Sequence, residues 1–192
     1  MVSKSGEIRW WAKEKAEMWD WFQENVLKTR NLEPKQRTDY YLKSIDNRTT
    51  VKWREGNLEF KFRTSTREMP TGLMEEYLKE SLPSELNRNI LPVDAMIPVR
   101  KKRYQRIIRP STGLITEADT FADEGCQIEF TEVRISNQKT IYSICFEAYS
   151  KSRAESAVLN ETLNLFRMNE GFFSLENSGG YARKIERAHL KK

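Results

Sequence analysis

Apolar and polar residues alternate with a period of two through much of this chain, which predicts antiparallel strands. From Thr50 to Arg54, Val51 and Trp53 oppose Thr50, Lys52 and Arg54; from Leu58 to Arg63, Leu58, Phe60 and Phe62 oppose Glu59, Lys61 and Arg63. Glu55-Gly56-Asn57 between them reads as a hairpin turn, with Gly56 or Asn57 supplying the positive φ of a tight reversal. Thr38 to Lys43 adds a preceding strand, so the run from Arg37 to Arg63 holds three. Glu7 to Ala12 places Ile8, Trp10 and Ala12 on one side and Glu7, Arg9 and Trp11 on the other. Ile97 to Ile108 is a further strand, whose cations Arg100, Lys101, Lys102, Arg103 and Arg106 cover both faces, so only one set points inward. Cys126 to Ile135 and Thr140 to Tyr149 form a second hairpin around Ser136 to Lys139. Thr131-Glu132 breaks its alternation. A bulge there would set Glu129, Glu132 and Arg134 on one face, whereas without it Glu132 leaves that face.

Spacings of three and four mark the helices. Met18, Trp21, Phe22, Asn25 and Val26 predict one from about Glu14 to Leu27. Leu73, Met74, Tyr77 and Leu78 after Pro70-Thr71 predict a second, ended by Pro83 before a turn from Ser84 to Asn89. Ser152-Arg153-Ala154-Glu155 has the capping-box pattern and predicts a third, to about Met168, with Ala157, Val158, Leu165 and Phe166 buried. Arg109 to Gly125 reads as a loop, and the segment from Asn169 as a loop with a short final helix. Four of the five tryptophans lie at positions 10, 11, 19 and 21, where the plain reading is a core lid.

With 192 residues, 38% of them hydrophobic, the chain fits a single domain, 1–192, with a sizeable core. Its 33 Lys and Arg against 28 Asp and Glu favour an acidic ligand without requiring nucleic acid. No apolar run approaches the roughly 20 residues of a membrane span, and Met1 to Gly6 lacks a signal-peptide core, so the expected setting is cytoplasmic or otherwise intracellular. Cys126, Cys145 and the single histidine, His189 in the basic tail, argue against zinc and against a histidine-based triad. Any catalysis then falls to carboxylates, Lys, Arg, Tyr or a hard metal ion.

The order of these segments resembles the CYTH-like, or triphosphate tunnel, family. The residues that carry the likeness are Glu7-Ile8-Arg9, Thr38-Asp39-Tyr40-Tyr41-Leu42, Val51 to Gly56, Leu58 to Arg63, Lys101-x-Arg103, Ile128 to Val133, and Phe146-Glu147. The resemblance implies an α+β fold: a tunnel-like antiparallel β-barrel, closed or nearly closed, flanked by helices. It also implies a triphosphate or polyphosphate held in the lumen by Arg9, Lys52, Arg54, Lys61, Arg63, Lys101 and Arg103. Magnesium or manganese would sit on Glu7, Glu129, Glu132 and Glu147, and the activity would be that of a triphosphatase, a hydrolase of phosphoanhydride bonds. Arg supplies a fork of donors and Lys a point charge to phosphate oxygens, while a hard divalent ion prefers carboxylate and water.

The first strand departs from the family's Glu-x-Glu-x-Lys signature, because this chain has Glu7-x-Arg9-x-Trp11. Arg9 puts a cation where the resemblance calls for a metal ligand. The alternative reading is therefore a noncatalytic basic barrel that binds nucleic acid or a protein partner. The same cations also suit a solvated outer sheet face, and the glutamates suit ion-pair partners for the basic rows.

Overall fold

The alternating segments pair as strands, and the strands close on themselves. The computed structural model describes residues 2–27, 32–42, 48–82, 96–117, 123–168 and 171–189. The strands are β1 (Val2–Ala12), β2 (Lys35–Leu42), β3 (Thr49–Arg54), β4 (Asn57–Met69), β5 (Gly72–Leu82), β6 (Met96–Arg109), β7 (Leu114–Glu117), β8 (Glu124–Ile135) and β9 (Ile141–Ser150). Their order is β2-β3-β4-β5-β1-β9-β8-β6-β7, and an additional β2–β6 pairing joins the two sides. Eight strands thus form a closed antiparallel barrel, with β7 an outer partner of β6. Closure pairs the edges that such strands would otherwise expose.

Among the described residues three α-helices accompany the barrel: α1 (Ala16–Phe22), continued by a π-helical turn (Gln23–Leu27), α2 (Glu155–Asn164) and α3 (Tyr181–His189). The apolar face of β1, β8 and β9 looks outward. Ile8, Trp10, Ile128, Phe130, Ile144 and Phe146 pack there against Met18 and Phe22 of α1 and Val158 and Leu159 of α2. Each such side chain contributes about 1.5–3 kcal/mol of burial, so this outer core anchors the helices. Trp10 and Trp21 meet Phe173 edge-on at 4.8 and 4.9 Å, as the predicted aromatic lid requires.

Several expectations are corrected. The helix read from Leu73 to Leu78 is the strand β5, paired with both β1 and β4. The Ser84 to Asn89 turn lies outside the described residues. The expected loop from Arg109 to Gly125 contains β7. β8 carries no bulge, since Phe130, Thr131 and Glu132 pair in unbroken register with Ile144, Ser143 and Tyr142. The capping box does not form: α2 begins after Ala154 with no side-chain cap, and Arg153 instead bridges Glu124 and Glu161. In the β3–β4 hairpin the positive φ falls on Glu55 (49°) and Gly56 (84°), while Asn57 already belongs to β4.

Candidate functional site

Because the outer face of the barrel strands is apolar under the helices, the alternating polar residues point into the lumen. β1 contributes Glu7 and Arg9, β3 contributes Lys52 and Arg54, and β4 contributes Glu59 and Lys61. On β6 the inward set is Lys101 and Arg103, whereas Arg100 is exposed on the opposite face. These walls enclose a cavity of about 510 Å³ lined by nine Lys and Arg side chains and five glutamates. Lys79 on β5 and Arg37 on β2 are part of it. Neither was singled out in the sequence, the first because its strand read as a helix, the second because it precedes the alternating segment.

The cations are tied to the acids in local pairs. Lys52 lies 2.8 Å from Glu59, which also meets Arg54. Lys61 donates to Glu7, and Lys79 pairs with Glu147. Arg9 reaches Glu7 and Glu129, each at 3.4 Å, and donates to Ser143 at 3.0 Å. Arg103 donates to Glu129 at 2.6 Å. Lys101 sits deeper, 2.5 Å from Asp39 and 2.8 Å from the Tyr41 hydroxyl. Arg63 shares the inward face but is engaged by Glu75 at 2.5 Å, and Glu75 also accepts from Tyr77 at 2.9 Å.

Crowding of like charge marks the lysines. Burial, and next the repulsion of Arg54, pushes the Lys52 ammonium down to about 8 against the opposing pull of Glu59. Burial holds Lys79 well below the usual lysine range, with Lys61 adding to the shift. Lys101 is likewise depressed by burial although Asp39 opposes it. Burial would raise Glu7 and Glu129, but the cations outweigh it and hold both carboxyls well below the normal range: Lys61 and Arg9 at Glu7, Arg103 and Arg9 at Glu129. The lumen therefore contains ionised carboxylates among a larger number of Lys and Arg side chains.

One end of the barrel is filled. Trp11, Tyr41, Val99, Val133 and Ile135 form a second apolar cluster with Ile185 of α3, and Tyr181 packs against it. The Tyr181 ring stacks on Tyr41 with centroids 5.7 Å apart and meets Trp11 edge-on at 5.1 Å. Arg9 and Lys101 lie over the same ring, 4.6 and 3.9 Å from its centroid. Tyr181 thus forms the aromatic floor of the basic cavity. The Gly179-Gly180-Tyr181 sequence signalled a loop and a short helix, but nothing local placed that helix in the barrel.

The glutamates implied as metal ligands are not gathered into a ligand set. Without a bulge, Glu132 leaves the lumen face, and it pairs with Lys15 at 2.8 Å. Glu7 and Glu129 are joined through Arg9, and Glu147 is held by Lys79. Among the described residues, no three His, Cys, Asp or Glu side chains come together as a group able to hold a metal ion. A divalent cation would have to displace guanidinium and ammonium groups already in contact with these oxygens, so the residues present do not fit it.

No family model matches the chain, and no curated protein matches it. Solved structures align over most of its length. A conserved hypothetical protein from Pyrococcus furiosus superposes with a TM-score of 0.43 at 11% identity, covering 93% of this chain and 98% of its own. A Bacillus halodurans protein provisionally named an adenylate cyclase superposes with a TM-score of 0.39 at 13% identity, covering 88% and 93%. At these scores neither likeness transfers an activity. No helix among the described residues is long and apolar enough to cross a membrane.

Proposed function

We propose that the barrel lumen binds a triphosphate or a short linear polyphosphate. The observation that carries this reading is the cavity of about 510 Å³ with nine cationic side chains against five glutamates on its walls. A phosphate chain supplies closely spaced negative charges with several acceptor oxygens each, and guanidinium and ammonium groups on opposite walls offer the matching donors. The depressed lysines support the same ligand, because an anion between Lys52, Lys79 and Lys101 relieves the repulsion and desolvation that hold them down. Of the site residues that the family resemblance implies, Glu7, Arg9, Lys52, Arg54, Lys61, Lys101, Arg103, Glu129 and Glu147 line these walls. Glu7, Glu129 and Glu147 are each engaged by cations, so they support binding rather than activation of water.

Tripolyphosphate titrated into the protein should raise its melting temperature saturably, since a ligand of the native state stabilises it by mass action. Lys52→Ala should weaken that binding by about tenfold or more, the equivalent of one charge-assisted hydrogen bond of roughly 1.5–3 kcal/mol. A folded Lys52→Ala protein with unchanged affinity would remove Lys52 from the site, and no shift in the wild type would remove the lumen ligand.

One observation favours a second reading, nucleic-acid binding on the outer wall. Arg100 and Arg134 stand directly opposite one another on β6 and β8, both exposed, and line a cleft of about 330 Å³ with Lys102 and Glu132 that also touches the lumen residues Arg37 and Lys101. Opposed like charges are unfavourable unless an anion shares them. Steep salt dependence and an affinity that grows with oligonucleotide length would identify that mode, whereas the lumen saturates with one short phosphate chain.

A further inference from the structure

The carboxylate side of the lumen already contains a cation. Arg9 projects from β1 between Glu7 on its own strand and Glu129 on β8, and is anchored by a hydrogen bond to Ser143 on β9. Tyr181 covers its guanidinium at 4.6 Å, and Trp11 lies 5.8 Å away, so aromatic faces complete its enclosure. Arg9 is 5% exposed, Glu7 2% and Glu129 3%. This is a built assembly of buried groups with short connections.

Glu129 has no lone pair to spare. Its Oε1 accepts from Thr131 at 2.6 Å and from Arg9 at 3.4 Å, while its Oε2 accepts from Arg103 at 2.6 Å and Gln105 at 3.1 Å. Two carboxylate oxygens offer about four acceptor sites in all, and four donors occupy them. Glu7 is divided in the same manner between Arg9 and Lys61. A divalent ion arriving here would break these contacts and add two positive charges to a lumen where cations already exceed acids.

We infer that this lumen takes its polyanion without a divalent metal ion, and that Arg9 is the fixed cation of the wall formed by Glu7 and Glu129. The ligand's phosphates then meet side-chain donors directly, and Arg9 orients both glutamates away from metal coordination. Affinity follows the protein's own cations and is indifferent to chelators. Arg9 acts as a specificity-determining residue, setting what kind of ion the carboxylate wall accepts.

The inference rests on the lumen reading for its ligand, and two separate titrations keep the two apart. In the first, tripolyphosphate is titrated calorimetrically into the wild type, once in excess EDTA and once with magnesium or manganese. Saturable binding in EDTA, with no gain on adding metal, is expected. An affinity that rises about tenfold or more with metal overturns the inference. In the second, manganese alone is titrated and its free paramagnetic resonance signal followed. The wild type should leave that signal undiminished, and Arg9→Gln, which frees Glu7 Oε1 and one contact of Glu129, should lower it. Saturable manganese uptake by the wild type overturns the inference, and that outcome needs no variant to fold. Absence of tripolyphosphate binding in every buffer sinks the lumen ligand instead, while the manganese arm still decides the role of Arg9.

Discussion

Lys52 shows how the lumen tunes a single residue. Its ammonium is pushed down to about 8 from an ordinary 10.5, first by burial and then by Arg54. Between those two values the unfolded chain binds more protons than the folded one, so folding stability should rise with pH through this window. The proposed phosphate binding should follow the opposite course. Below about 8 the group is charged in the free protein and attracts the anion; above it the free protein must first take up a proton. Tripolyphosphate affinity should therefore fall as pH rises past about 8, and the binding heat near that pH should depend on the ionisation enthalpy of the buffer. Measurements in two buffers, compared with Lys52→Ala, isolate this contribution. A flat profile up to pH 10, within roughly a factor of two, would mean that Lys52 does not meet the ligand.

At the scale of elements, what separates the legible from the illegible is which side of the sheet serves as core. β3 and the Leu58 to Arg63 part of β4 were readable because an apolar face alternates with a polar one, and β1 was readable through Glu7 and Arg9 before its lumen face turns apolar at Trp11. β8 was misleading because both of its faces change character midway. Ile128 and Phe130 face the helices, but Glu132 and Arg134 continue the same face beyond their cover; Glu129 and Thr131 face the polar lumen, but Val133 and Ile135 continue into the apolar floor. What resembled an inserted residue is a boundary crossed by both faces at once. β5 failed for a related reason. Buried Glu75 is satisfied inside the barrel by Arg63 and Tyr77, so its polarity does not report exposure, and Leu73, Met74, Tyr77 and Leu78 fell at helical spacing. The docking of α3 was equally hidden, because it depends on how closely Gly180 approaches Glu75 and Tyr77. A Cβ at position 180 would lie 2.6 Å from the Tyr77 hydroxyl and 2.8 Å from a Glu75 oxygen. Gly180→Ala should cost about 1–3 kcal/mol through this overpacking, lowering the melting temperature by some 2–4 °C per kcal/mol. A thermal scan checks it, and an unchanged melting temperature would show that α3 docks more loosely than its contacts indicate.

The whole molecule is set by one pairing that no local pattern announces. β2 and β6 are separated in sequence by three strands, yet their register, with Arg37 opposite Lys101 and Asp39 opposite Val99, turns an open sheet into a barrel. Behind that seam Lys101 and Asp39 pair deep inside, a contact visible only once the strands are joined. The strands and their charged faces could be recognised one at a time, but the volume they enclose belongs to their closure. That volume ends at α3. With Tyr181, Trp11 and Ile185 packed across one end, a chain entering the cavity meets an apolar floor there. A phosphate chain held against such a floor should enter by a terminus. Each polyphosphate strand, whatever its length, should recruit at most two protein molecules, one per end, and a cyclic phosphate with no terminus should compete poorly; sedimentation of the complexes would count them.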